Sequence, residues 1–141
     1  MKRLLLLSLV IVLSACSNTG TFKFDGLYED IGGKETLNKV YGVAVARIYN
    51  DPEIGHFFKG VPKKHIREQL VNQTCELIGG PCVYDGMSML EAHKDQNISE
   101  RHFYILVDYV RGAMKDVGLT PQQENMIIQK LAPMKSQVVY Q

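Results

Sequence analysis

A helix cannot run through Gly79-Gly80-Pro81, and that break constrains everything that follows it in the chain. Val83-Tyr84-Asp85-Gly86 continues as an irregular loop with a further glycine. A short helix then begins at Ser88, which can cap it, and places Met89, Ala92 and His93 on one face at i, i+3 and i+4. Asn97 before Ile98 marks its end. A neutral imidazole at the end of so short and apolar-faced a helix is well placed to bind iron from one side.

The rest of the chain reads as helices throughout. Residues 35 to 50 carry Leu37, Val40, Tyr41, Ala44, Val45 and Ile48 on one stripe, the period of a helix packed on a core. Residues 51 to 59 are a turn-rich connection. A second long helix spans 62 to 78, with Pro62 in its first turn and Ile66, Leu70, Val71, Leu77 and Ile78 inward. Ser99 opens a third, closed by Gly118, with Phe103, Leu106, Val107, Val110 and Met114 inward. Thr120-Pro121 starts a fourth that reaches about residue 139, turns Met126, Ile127, Leu131, Met134 and Val138 inward and is kinked by Pro133. One chain of 141 residues with 45% apolar content suffices for one core. Sixteen basic residues against 15 acidic ones give no footprint for nucleic acid or for a polybasic membrane contact.

Several fragments, taken in order and without gaps, resemble the group I truncated haemoglobins. They are Leu27-Tyr28 with Ile31-Gly32-Gly33, Asp51-Pro52 followed by Phe57-Phe58 and Gly60, Gly79-Gly80-Pro81, Tyr84 with Gly86, Ala92-His93, and His102-Phe103. The resemblance spans 27–141 and implies an all-α truncated globin, a two-over-two helical sandwich around haem b, with His93 as the proximal iron ligand. It further implies haem contacts from Phe58, Ile66, Leu70, Met89 and Phe103. Arg67 and Tyr84 are expected to pair with the haem propionates, because a guanidinium or phenol can hold a carboxylate at a pocket edge. No Cys-x-x-Cys-His motif is present, so the haem is expected to be held without a covalent link. His102, at the start of a helix, is expected to cap rather than ligate, and His56 and His65 match nothing in the family pattern.

On the ligand side this sequence departs from its relatives. The gap-free register puts Val45 where a tyrosine usually donates a hydrogen bond to the ligand, with Ile66 and Leu70 at the other two pocket positions. All three are apolar, so a polarised diatomic ligand lacks its usual donor. Gln69 and Gln73 are the nearest polar side chains, one turn apart, with a solvated rim position as the alternative for both.

The first residues belong to another device. Lys2 and Arg3 precede an apolar run from Leu4 to Leu13, too short to span a membrane, and Leu13-Ser14-Ala15-Cys16 resembles a bacterial lipobox. Residues 1–15 are then expected to be a signal peptide, Cys16 the lipidated first residue, and 16–26 a tether. Ser17 in place of an aspartate resembles outer-membrane sorting, facing the periplasm. Export puts Cys75 and Cys82 in an oxidising compartment, and the glycine break lets Cys82 fold back towards Cys75, so a disulfide is expected.

The reading is thus a lipid-anchored, periplasm-facing haem protein that binds oxygen, nitric oxide or carbon monoxide. The alternative is a haem-dependent redox enzyme, carrying out nitric oxide dioxygenation or peroxide reduction with a separate electron donor. The apolar ligand side argues against peroxide work, which needs a polar group beside the breaking bond.

Overall fold

Helical periodicity becomes packing in the computed structural model, which describes residues 26–141. The signal segment, Cys16 and the tether up to residue 25 lie outside the described residues. The helices are α1 (Leu27–Asp30), α2 (Gly33–Ile48), α3 (Lys63–Leu77), α4 (Met89–His93), α5 (Glu100–Val117), α6 (Pro121–Leu131) and α7 (Lys135–Val138). Two 3-10 turns, Gly55–Phe58 and Ala132–Met134, link them, and there is no strand among the described residues. α2 packs against both α3 and α5, and α6 closes the ring by touching the same two helices. Two helix pairs therefore cross face to face.

The expected inward stripe of α2 is buried throughout. With Leu27, Ile54, Val71, Cys75, Ala113, Met114 and Ile127 it forms the core, where each large apolar side chain contributes about 1.5–3 kcal/mol by leaving water. Tyr41 is the one phenol in that core, 1% exposed, and its hydroxyl hydrogen-bonds Thr74 Oγ1 at 2.5 Å.

Helix boundaries follow local chemistry. α2 begins two residues before the expected start and ends at Ile48, because Asp51 Oδ1 accepts from the backbone N–H groups of Glu53 and Ile54 and turns the chain. Pro62 is extended and sits just outside α3 instead of in its first turn. Ser99 and His102 form a reciprocal cap on α5, each side chain accepting from the other's backbone N–H at 3.2 Å, which is the capping role expected of His102. Thr120 and Gln123 do the same for α6. Pro133 does more than kink the last helix. It falls in the 3-10 turn that separates α6 from α7 and lets α7 swing onto α4.

Cys75, at the end of α3, and Cys82 are joined by a disulfide with their Cα atoms 5.7 Å apart. Gly80 makes room for it: a Cβ there would lie 2.6 Å from Cys75 Sγ and 2.5 Å from the Tyr28 ring. Any larger residue would have to displace the bridge or α1.

Candidate functional site

α4 is only five residues long and cannot hold itself; it is held by what surrounds it. Ser88 Oγ accepts from Glu91 N, Glu91 Oε2 accepts from Ser88 N, and α7 packs against the helix. Its last residue, His93, is half-buried and reaches back one turn, placing Nδ1 2.7 Å from the carbonyl oxygen of Met89. A carbonyl only accepts, so the proton resides on Nδ1 and Nε2 keeps its lone pair. That is the arrangement by which a protein orients a ligating imidazole.

His93 lines a cavity of about 740 Å³ bounded by α3, α4, α5 and the α6–α7 bend. The size falls within the roughly 300–1,000 Å³ of sites for small molecules and cofactors. Phe58, Ile66, Leu70, Met89 and Phe103 line it, as do Leu106, Val107, Leu131, Met134 and Val138. Phe58 is held in place from behind. Its ring lies 5.4 Å from that of Tyr49, the Tyr49 hydroxyl donates to Val61 O, and the turn before it is tied down by Tyr109 donating to Asp51 at 2.6 Å and by a two-pronged Arg101–Glu53 ion pair. The lining is mostly apolar, with the unengaged His93 Nε2 at the end of α4, and such a donor set fits an iron porphyrin.

The position of Val45 differs from the expectation. Val45 is buried at 3% exposure but does not line the cavity, whereas Tyr41, one turn earlier on α2, does. The gap-free register fixes a position along α2 and not the direction in which that turn faces once α3 has packed on it. Gln69 and Gln73 are not rim residues. Both line the cavity, Gln73 is 7% exposed, and its amide donates to Met89 Sδ at 3.5 Å. Gln69 Oε1 is buried with no partner, pressed so close to Gly86 that a Cβ there would come within 2.4 Å.

The propionate partners change as well. Tyr84 lines the cavity, but its hydroxyl proton is committed to Met87 O at 2.7 Å and is not left for a carboxylate. Arg67 is absent from the lining, and its Nε is buried without a hydrogen-bond partner. Apart from His93, bonded to Met89 O, and His102, which caps α5, the basic side chains lining the cavity are His65 and Lys135, with Lys135 held 2.7 Å from Glu100. Neither is marked by the motif pattern. Tyr41 carried a readable sign, since a buried phenol on an inward stripe needs a polar partner.

Electrostatics agree with a dry interior behind the cavity. Burial pushes the Tyr41 phenol up to about 12, against the smaller opposing effect of its bond to Thr74. No cluster of three or more acidic, histidine or cysteine side chains fit to hold a bare metal ion occurs among the described residues. Nor is any described helix long and apolar enough to cross a membrane.

Residues 26–140 match the family model described as bacterial-like globin. A group 1 truncated haemoglobin of Tetrahymena pyriformis is 30% identical over 94 residues, covering 67% of this chain and 78% of that protein. Another, from Mycolicibacterium paratuberculosis, is 25% identical over 112 residues, covering 79% and 82%. Among solved structures, the Fe(III) form of the Tetrahymena pyriformis truncated haemoglobin superposes with a TM-score of 0.76 at 26% identity, covering 80% of this chain and 97% of that one. The 2/2 haemoglobin of Synechococcus, solved with covalently attached haem, gives 0.74 at 15% identity and so speaks for the fold alone. Match, helix order and cavity converge, and the chain belongs to the bacterial-like globin family.

Proposed function

We propose that this chain is a truncated globin that holds haem b without a covalent link and binds oxygen or another small diatomic gas at an iron ligated by His93. The observation that carries it is the His93 ring itself, which turns Nε2 and its lone pair away from the Met89 carbonyl and sits in an apolar cavity. Haem, when bound, supplies the iron on which a diatomic ligand is held. The chain's own residues do the rest. Met89 O fixes the tautomer of His93, Phe58 and Phe103 offer flat apolar surface to a porphyrin, and Ile66 and Leu70 keep water from the ligand side. His65 and Lys135 are the candidates for the propionates.

Signal peptide, Cys16 lipidation and a periplasm-facing outer-membrane location are part of this proposal. The Leu13-Ser14-Ala15-Cys16 ending supports them, and the Cys75–Cys82 bridge suits an oxidising compartment. The redox reading, nitric oxide dioxygenation above all, gains from Gln69 and Gln73 reaching the cavity, since an amide can donate to a polarised ligand. It requires a separate electron donor. Visible spectra of the purified protein, ferric, then dithionite-reduced, then with carbon monoxide, test the proposal. A Soret band that shifts at each step is expected, and a protein that takes up no haem would refute it.

A further inference from the structure

The Cys75–Cys82 bridge ties α3, which lines one part of the cavity, to the loop that leads into α4, which lines another. Cys75 is fully buried on α3, two residues after Gln73, while Cys82 begins the stretch that ends at α4. Between Gly79 and Ser88 the chain has no regular structure and is fastened to α3 at successive points. Gly80 N donates to Cys75 O at 2.8 Å, Tyr84 N donates to Glu76 Oε2 at 3.0 Å, Gly86 packs on Gln69, and Gln73 donates to Met89. The disulfide is the covalent member of this row, and Glu76, bearing the next fastening, is exposed. His93 rides on the five-residue helix that this row leads into, and that helix packs on its other contact, α7. Nothing in the gas-binding reading requires a bridge here.

We propose that the Cys75–Cys82 pair is a positioning device for His93, so that haem retention is coupled to its oxidation state. The proposal rests on the haem reading above. A dithiol reductant cleaves the S–S bond, passing two electrons and two protons to give the Cys75 and Cys82 thiols while closing its own disulfide. Release of the loop frees α4 to shift relative to α3, and the imidazole no longer meets the iron from a fixed direction. Coupling between two sites is reciprocal, so haem must make the bridge harder to reduce by the same factor by which the bridge tightens haem.

Both halves of that relation are measurable on the full chain in its ferrous carbon-monoxide form, where thiol neither reduces nor ligates the iron. Haem affinity is read by equilibrium competition with apomyoglobin for the oxidised protein, for protein reduced and alkylated, and for the Cys75→Ser/Cys82→Ser variant. The dithiothreitol midpoint of the bridge is read with and without haem. Affinity is expected to fall on the order of ten- to a hundredfold on loss of the bridge, with the reduction equilibrium shifted by a matching factor. The iron–histidine stretch of the unligated ferrous form should also broaden or move. Equal affinities and equal midpoints overturn the proposal, and so does loss of helicity in both bridge-free forms, which would make the disulfide a brace of the whole fold. An oxidised protein that binds no haem at all instead refutes the haem reading.

Discussion

An imidazole can ligate iron only through a nitrogen free of its proton, and in His93 the Met89 carbonyl takes that decision by holding the proton on Nδ1. The Gly-Gly-Pro break and the Met89, Ala92, His93 spacing single this residue out in the sequence as a candidate, because both are local signals. The other side of the cavity is not local. Whether Tyr41 or Val45 borders the cavity depends on how α3 crosses α2, and on the Thr74 hydroxyl that waits 33 residues away for the phenol. Two consequences can be measured. Tyr41→Phe strands a buried Thr74 hydroxyl and should lower stability by about 1–3 kcal/mol in denaturant titrations. It should also alter alkaline behaviour. The folded phenol titrates near 12 and the unfolded one near 10, so its contribution is fully present below 10 and lost as pH rises towards 12. Wild type should therefore lose stability across that window, and the phenylalanine variant should lose less. Val45→Tyr, which the family register would offer as a restored ligand donor, should instead overpack the core and cost about 1–3 kcal/mol, since Val45 is buried away from the cavity. A variant as stable as wild type that slows oxygen release would show that the register was right.

At the scale of elements, start signals proved more legible than direction. Ser88, Ser99 and Thr120 each cap the helix that the sequence assigns to them, because an N-cap is a contact between residues three apart. Ser99→Ala should cost about 0.5–2 kcal/mol, read as a lower midpoint of thermal or urea unfolding, and leave the cavity intact. An unchanged midpoint would mean that His102 alone secures the end of α5. The split of the last helix was only half readable. Pro133 announces a disruption, but that α7 then turns onto α4 is decided by the apolar contacts of Leu131, Met134 and Val138 around the cavity. The Pro62 and Asp51 boundaries shift for the same kind of reason, a fixed dihedral or a side chain capturing the backbone one or two residues away from the periodic pattern.

For the whole molecule, four long or medium helices cross around a space that the protein alone does not fill, and that space is where its family's cofactor belongs. Phe103, Leu106 and Val107, partly buried on α5, line that space and are the apolar surface such a partner would cover. The order of the motifs conveys this arrangement because the sandwich is set by helix lengths and break points. The identity of the groups meeting the propionates is not conveyed, because Arg67 and Tyr84 satisfy or bury their polar atoms elsewhere. The covalent tie between α3 and the loop after it is checked by thiol labelling of protein prepared without reductant, under denaturing, non-reducing conditions. Neither Cys75 nor Cys82 should react, whereas quantitative labelling of both would exclude the bridge.

If His93 holds the iron of a haem seated in this cavity, the ferrous carbon-monoxide absorption spectra of wild type and His93→Ala must differ. Wild type should give the sharp Soret band of a histidine-ligated haem. The variant should fail to retain haem, or retain it only with added imidazole occupying the space left by the ring. A variant that keeps the wild-type spectrum without imidazole would rule out His93 as the iron ligand.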